Sequence, residues 1–288
     1  MFRRLAILTS AAAIAGAASI GLLAATASAD PGCPDVHWIG AAGSGERGAE
    51  ATSNGGMGRV VFQSFNAMKE LVERDGRTIT AEAVEYPATP VPADGGLLDW
   101  ADFMGSVDAG AAALGGQYAS FAARCPSTKV VLAGYSQGAM VVHRNLHALA
   151  ASPNLAASLL IADGDRLPVD STINIGSAAS VPGAGKGVAQ DWPILAHAPA
   201  ALPVALGSKT ISVCDRGDAV CDYDEESEDS ESVMATAVAI HTGYDISTRS
   251  GQAWTSLLHQ LLGPAPAANP LVLAGNEAIH SSPENSQS

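Results

Sequence analysis

Short apolar runs alternate with longer stretches of helical periodicity along most of this chain, and that alternation narrows the fold more than any other feature. Val36 to Ala41 in "DVHWIGAAGSGERG" reads as a buried strand breaking into a glycine-rich turn. "GRVVFQSFNAMKELVERDG" then spaces its apolar residues as a helix does and stops at Gly76. "TITAEAVEYP" alternates like a strand and ends before Pro87, and "GLLDWADFMGSVDAGAAALGGQYASFAARCP" is a long helical region stopped near Pro126. "TKVVLAGYS" is a strand and "QGAMVVHRNLHALA" a helix. "LAASLLIADGDRLP" and "KTISVCD" hold two more strands, and "SGQAWTSLLHQLLG" closes as an amphipathic helix. Helices between successive strands imply βαβ units, hence an α/β fold with a mostly parallel central sheet covered on both faces. With 47% apolar and 15% charged residues, a chain of 288 can bury the core such a sheet requires. Two segments break the pattern: Gly176 to Pro203, rich in Gly, Ala and Pro, and a tail after Gly263 rich in Pro, Asn and Ser.

The first residues are read as a leader. "MFRRLAILTSAAAIAGAASIGLLAATASAD" runs from Arg3 and Arg4 through an Ala-rich apolar stretch to Ala27-Ser28-Ala29, the order of a secretory signal peptide cleaved after Ala29. A permanent membrane anchor is the competing reading, which the many small residues and the cleavage site disfavour. Residues 1–29 are thus a signal peptide, 30–263 the folded domain and 264–288 a mobile tail. The expected mature protein is secreted, with wall association left open. The formal charge is −14, and without Arg3 and Arg4 it becomes −16. No basic cluster exists, so binding to nucleic acid or to anionic membranes by charge is excluded.

Export makes Cys33, Cys125, Cys214 and Cys221 candidates for two disulfides, for which three pairings exist. The short segment "CDRGDAVC" favours a local bridge, which would leave Cys33 to reach Cys125. No Cys-x-x-Cys or His-x-x-x-His pair is present, so no metal site is expected.

"VVLAGYSQGAM" sets Ser136 between Gly134 and Gly138, just where a strand gives way to a helix. In a G-x-S-x-G elbow the sharp turn presents the serine hydroxyl at the rim of the sheet, and the glycines let strand and helix approach without Cβ clashes. The amide of Gln137, at the helix N-terminus, is placed to stabilise an oxyanion. A serine nucleophile needs an imidazole base and an acid to orient it. In this fold the chain order is Ser, acid, His, which disfavours His37, His143, His147 and His197. His143, two turns along the helix after Ser136, is read as packing or surface. Of the later three, His259 lies within the Leu-rich last helix and His280 in the tail, which leaves His241 in "AIHTGYD" as the base. Asp215 and Asp218 both lie inside the Cys214–Cys221 segment, and spacing alone does not choose between them.

Ser136 in "GYSQGA", the segment "CDRGDAVC" and His241 in "HTGY" together resemble the cutinase family of serine esterases, in particular its exported, actinobacterial-type branch. The resemblance runs from Cys33 to about His259. It implies a compact α/β-hydrolase, a three-layer sandwich around a parallel sheet, often without a full lid. Its Cys-x-x-x-Asp-x-x-Cys pattern implies Asp218 as the acid, and it implies the disulfides Cys33–Cys125 and Cys214–Cys221. "AAGSGE" resembles the family's Ala-Arg-Gly-Ser/Thr-x-Glu turn, which implies Ser44 as the second oxyanion-hole residue beside Gln137. Three departures stand out. Ala42 replaces the arginine of that turn. "DYDEESEDSES" lengthens the spacing between Asp218 and His241. The stretch from Gly176 to Pro203, whose family counterpart helps border the acyl-binding groove, is long.

Seven of the eleven residues from Asp222 to Ser232 are acidic, and the run reads as a solvated loop tip whose charge moves the pH–rate profile upward at low salt. The sequence as a whole reads as a secreted, monomeric serine esterase that hydrolyses acyl esters or lipid-like substrates through Ser136, Asp218 and His241. It needs no metal or organic cofactor. Trp192 to Leu195 are candidates to line the acyl groove. Acyl transfer by the same residues and a non-catalytic exported surface protein are the alternative readings.

Overall fold

A computed structural model describes residues 32–48, 51–92, 97–192, 195, 200–225 and 230–265. The leader, most of the tail, His197 and His280 lie outside the described residues. Six strands form one sheet in the order β2-β1-β3-β4-β6-β5, with every neighbouring pair parallel. The strands are β1 (Val36–Ala41), β2 (Ile79–Ala83), β3 (Lys129–Tyr135), β4 (Leu155–Ile161), β5 (Ile173–Ile175) and β6 (Thr210–Val213). Between and after them run α1 (Arg59–Arg74), α2 (Leu97–Arg124), α3 (Gln137–Leu146), the single turn α4 (Val204–Gly207), α5 (Glu231–His241) and α6 (Arg249–Leu262).

The alternation of side chains along the strands sorts them into two cores. On one face Ile39 and Ala41 of β1 and Val130 and Leu132 of β3 pack with Val107 and Leu114 of α2 and Val141 and Leu146 of α3. On the other, Val36 and Trp38 of β1 and Val131 and Ala133 of β3 meet Val61 and Met68 of α1 and Trp254 and Leu258 of α6. That gives the three layers of an α/β-hydrolase. The disulfides are Cys33–Cys125 and Cys214–Cys221, the pairing the resemblance implied.

The chain enters at β1, moves to the edge strand β2, then returns across β1 to β3. This reversal opens a crevice between the carboxyl ends of β1 and β3, the place where open α/β sheets build their sites. The register sets Ala41 of β1 beside Gly134 of β3, so the turns after both strands leave the sheet side by side.

Two elements escape a reading of the sequence. β5 has only three residues, too few to show alternation. α5 buries only Ala237, with Val233 and Val238 about half exposed, so it has no single apolar stripe to betray a helix. It begins on the last two residues of the acidic run, Glu231 and Ser232, and ends on His241, so part of the length between Asp218 and His241 is helix. Glu231 stands in its first turn, where a carboxylate complements the helix dipole.

Candidate active site

Ser136 follows β3 directly and caps α3, with φ 53° and ψ −119°, a left-handed conformation that costs a non-glycine residue energy. The flanking glycines are required by contact. A Cβ on Gly134 would lie 2.1 Å from the carbonyl oxygen of Gly138, and one on Gly138 would lie 2.2 Å from the carbonyl oxygen of Ala41. Strand, helix and the end of β1 therefore meet backbone to backbone, and the serine stands at their junction.

His241 and Asp218 arrive from the far side of the sheet. β6 leads through Cys214 into the disulfide-closed turn that carries Asp218, and α5 ends on His241. His241 Nε2 lies 3.0 Å from Ser136 Oγ, and its Nδ1 lies 3.0 and 3.1 Å from the two oxygens of Asp218. A carboxylate can only accept, so Nδ1 carries the ring proton and Nε2 of the neutral imidazole accepts from the serine hydroxyl. Asp218 is fully buried, yet its Oδ1 accepts from the amides of Val220 (2.7 Å) and Cys221 (2.9 Å). Burial alone would raise this carboxyl. The hydrogen bond and charge of His241 and the two amides outweigh it and hold Asp218 below its usual range.

Two tyrosines frame the imidazole. The Tyr135 ring stacks on that of His241 at 5.2 Å, and its hydroxyl donates to the His241 carbonyl at 2.8 Å. The Tyr244 hydroxyl donates to Asp218 Oδ2 at 2.8 Å. Burial, and then the charges of Glu46 and Asp218 for Tyr135 and of Asp218 for Tyr244, push both phenols well above their usual range, so both stay protonated.

The turn after β1 is held firmly despite Ala42. Tyr86 donates to the Ala42 carbonyl. Glu46 accepts from the amides of Gly43 (2.7 Å) and of Arg59 (3.0 Å). Arg47 reaches the Val84 carbonyl and the Glu85 carboxylate. Together these contacts brace the turn with an alanine at position 42. Ser44 faces the same cleft as Ser136. Gln137, the first residue of α3, presents an amide with no i−4 partner inside its helix, while Ser106 and the Thr89 carbonyl engage its side chain.

Ser136 and His241 open into a cleft of about 470 Å³, walled by Trp100, Phe103, Met140, Val188, Trp192 and Tyr223 among others. Trp192 packs edge-to-face on Trp100 at 5.1 Å and donates to the Tyr223 hydroxyl at 2.7 Å. Of the run Trp192 to Leu195, Trp192 and Leu195 line the cleft, and Pro193 and Ile194 lie outside the described residues. Within the long 176–203 stretch, residues 186–189 are stitched down beside this wall: Val188 donates to the Val220 carbonyl, Ala189 to that of Gly164, and Tyr223 to that of Lys186. In the acidic run Asp222 is structural, accepting from the amides of Gly185 and Gly217, while Asp224 and Glu225 are exposed.

His143 is buried behind the cleft and ion-paired with Asp163, and His259 pairs with Asp75 at 2.7 Å on the protein's flank. Neither approaches Ser136. Sequence reasoning missed Tyr135, Tyr244 and Glu46. The tyrosines sit inside the quoted "GYSQG" and "HTGY", but nothing in a linear string tells a ring that orients a base from one that fills space. Among the described residues no three His, Cys, Asp or Glu side chains group to hold a metal ion, and no helix is long and apolar enough to cross a membrane.

The parallel sheet, the strained serine elbow and the two disulfides define an α/β-hydrolase. The cutinase family model matches residues 32–260. Phospholipase Culp4 of Mycobacterium tuberculosis is 32% identical over 216 residues, 74% of this chain and 79% of that protein. Cutinase CUT1 of Coprinopsis cinerea is 26% identical over 222 residues, 77% of this chain and 82% of its own length. The solved structure of an iodinated complex of acetyl xylan esterase superposes with a TM-score of 0.54 at 22% identity, covering 80% of this chain and 97% of the esterase, a likeness of fold. The chain belongs to the cutinase family of carboxylic ester hydrolases.

Proposed function

We propose that the protein is a secreted serine esterase in which Ser136, His241 and Asp218 form a catalytic triad acting on acyl esters with an apolar acyl part. The observation that carries this reading is the line of short contacts from Asp218 through His241 to Ser136 Oγ at the floor of an aromatic-walled cleft. Ser136 Oγ attacks the ester carbonyl as His241 Nε2 takes its proton, and Asp218 stabilises the imidazolium that results. The carbonyl electron pair moves onto oxygen, where the amides of Ser44 and Gln137 receive the oxyanion. Donors of this kind are worth about 2.7–4 kcal/mol each in the transition state. Collapse expels the alcohol, which takes the proton from Nε2. Water then attacks the acyl-enzyme with His241 again as base, releasing the acid and restoring Ser136.

The cleft supports an apolar acyl chain, since each methylene buried there contributes about 0.8 kcal/mol. The phospholipase name of the Mycobacterium tuberculosis relative is in keeping with a lipid-like substrate. The two disulfides and the leader-like residues 1–29 support export, with 30–263 as the mature domain and 264–288 as its tail.

A series of p-nitrophenyl esters of increasing chain length tests the reading. KM should fall with each added methylene until the cleft is filled, and Ser136→Ala should abolish turnover. Retention of hydrolysis by Ser136→Ala would remove the reading. Transfer of the acyl group to an added alcohol in preference to water would replace hydrolysis with acyl transfer.

A further inference from the structure

We propose that Tyr244 is a positioning residue for the catalytic acid: its hydroxyl fixes Oδ2, the oxygen of Asp218 that takes neither turn amide, and so holds the carboxylate in place against the imidazole. The proposal rests on the triad reading above. The direction of its key hydrogen bond follows from chemistry alone. The Asp215 amide lies 2.9 Å from the Tyr244 oxygen and can only donate, so the phenol accepts there; its own proton goes to Asp218 Oδ2 at 2.8 Å, a charged acceptor nearer and stronger than the Cys221 disulfide sulfur at 3.6 Å.

The donors around Asp218 explain why this proton matters. Oδ1 takes the amides of Val220 and Cys221, both from its own turn. Among the described residues, the contacts of Oδ2 are the imidazole and Tyr244. His241 Nδ1 sits almost midway between the two oxygens. Without the tyrosine hydroxyl, donors would crowd one oxygen and leave the other to the base alone, so the carboxylate could rotate about its side-chain bond.

Tyr244 is itself fixed. It is buried, with its ring edge-on to Tyr135, which stacks on His241. Its carbonyl accepts from Arg59 at 3.0 Å, and the same guanidinium binds the Thr242 carbonyl at 3.2 Å and the Asp245 carboxylate at 3.0 Å. The Arg59 amide is held by Glu46, whose other oxygen holds Gly43 before Ser44. Tyr244 thus ties the acid's turn to the segment leaving the base, and Arg59 ties both to the turn after β1.

The test is Tyr244→Phe in the full-length protein, with Tyr118→Phe as comparator. Tyr118 loses a phenol hydrogen bond of the same kind, 2.6 Å to Ser152, far from the cleft. Tyr244→Phe should lower kcat about tenfold with KM unchanged. It should also move the acidic limb of the kcat/KM profile to higher pH, because a buried carboxylate with one donor fewer binds a proton, and holds the imidazolium, more tightly. Tyr118→Phe should lower Tm alone. In an Asp218→Asn background the Tyr244→Phe loss should vanish. If Tyr244→Phe fails to fold, 3-fluorotyrosine at position 244, a stronger donor of nearly the same shape, should move the limb to lower pH. A Tyr244→Phe enzyme with wild-type kcat and profile, an equal loss in the Asp218→Asn background, or an unmoved limb with fluorotyrosine would overturn the proposal. Active-site titration with an alkyl fluorophosphonate separates the two levels. Wild type that takes no label at Ser136 would sink the triad reading and the proposal with it, whereas labelled wild type beside an unaffected Tyr244→Phe sinks the proposal alone.

Discussion

His143 and His241 each set Nδ1 against an aspartate, 2.6 Å from Asp163 and 3.0 Å from Asp218, but their other nitrogens face different worlds. His143 Nε2 is buried and, among the described residues, has no hydrogen-bond partner, lying 3.9 Å from Asp170. Burial alone would push this imidazole down, yet the charges of Asp163, Asp165 and Asp170 and the bond to Asp163 push it up to about 9. Arg144 neutralises Asp165, and Arg166 is bound among Ser212, Asn174 and the Ala184 and Gly185 carbonyls. His143 is therefore a buried cation at neutral pH and is no base. His241 has a single carboxylate, already satisfied by two amides and a phenol, and its Nε2 reaches a serine hydroxyl at the cleft. What a histidine–aspartate pair can do chemically depends on what surrounds the aspartate and what the far nitrogen can touch.

The largest effect should come from breaking the two pairs the same way. Asp218→Asn should cut kcat by roughly 10⁴ while leaving Tm within a few degrees, since an amide permits the wrong imidazole tautomer. Asp163→Asn should do the reverse, lowering stability by about 3–5 kcal/mol in a urea titration, with kcat of the folded enzyme kept within a few-fold. Equal losses of activity in both would erase the distinction.

A pH series sharpens it next. Because His143 is raised in the folded state, its contribution is complete below the unfolded value of 6.5 and is lost as pH rises through about 9. That contribution is on the order of 3 kcal/mol. Wild-type Tm should decline over this window, and His143→Gln should start lower but decline less. Asp218 acts with opposite sign: its folded value is depressed, so its contribution is present above the usual carboxylate range and lost as pH falls through the lower folded value.

The disulfides offer the smallest contrast. Cys214–Cys221 closes a short ring, worth about 2–3 kcal/mol by loop entropy against about 4–5 for the long-range Cys33–Cys125. Since the short ring carries Asp218, its removal by Cys214→Ala/Cys221→Ala should cost less Tm but more kcat than Cys33→Ala/Cys125→Ala.

Much of this was legible in the chain. The strand β1 came out at its observed ends because six consecutive buried residues stop at a glycine turn, and Ser136 was marked by glycines that the backbone contacts require. Asp218 was not separable from Asp215 by spacing, because both lie in the same ring. In space Asp215 accepts instead from Ser177. His143, read as packing or surface, is buried, but its ion pairing was not legible because its three carboxylates lie downstream, at the end of β4 and beyond, and converge only when β3 and β4 pair. The helix after the acidic run escaped the sequence, since α5 has no one-sided apolar stripe.

The central claim is that one imidazole, His241, activates one serine. Treating the wild-type protein and Ser136→Ala with an alkyl fluorophosphonate and mapping the adduct by mass spectrometry tests it most directly. A single adduct on Ser136 that forms with wild-type protein, disappears in Ser136→Ala and slows by orders of magnitude in Asp218→Asn but not in Asp163→Asn is the expected result. An adduct on another residue, or labelling that proceeds as fast in Asp218→Asn as in wild type, would contradict it.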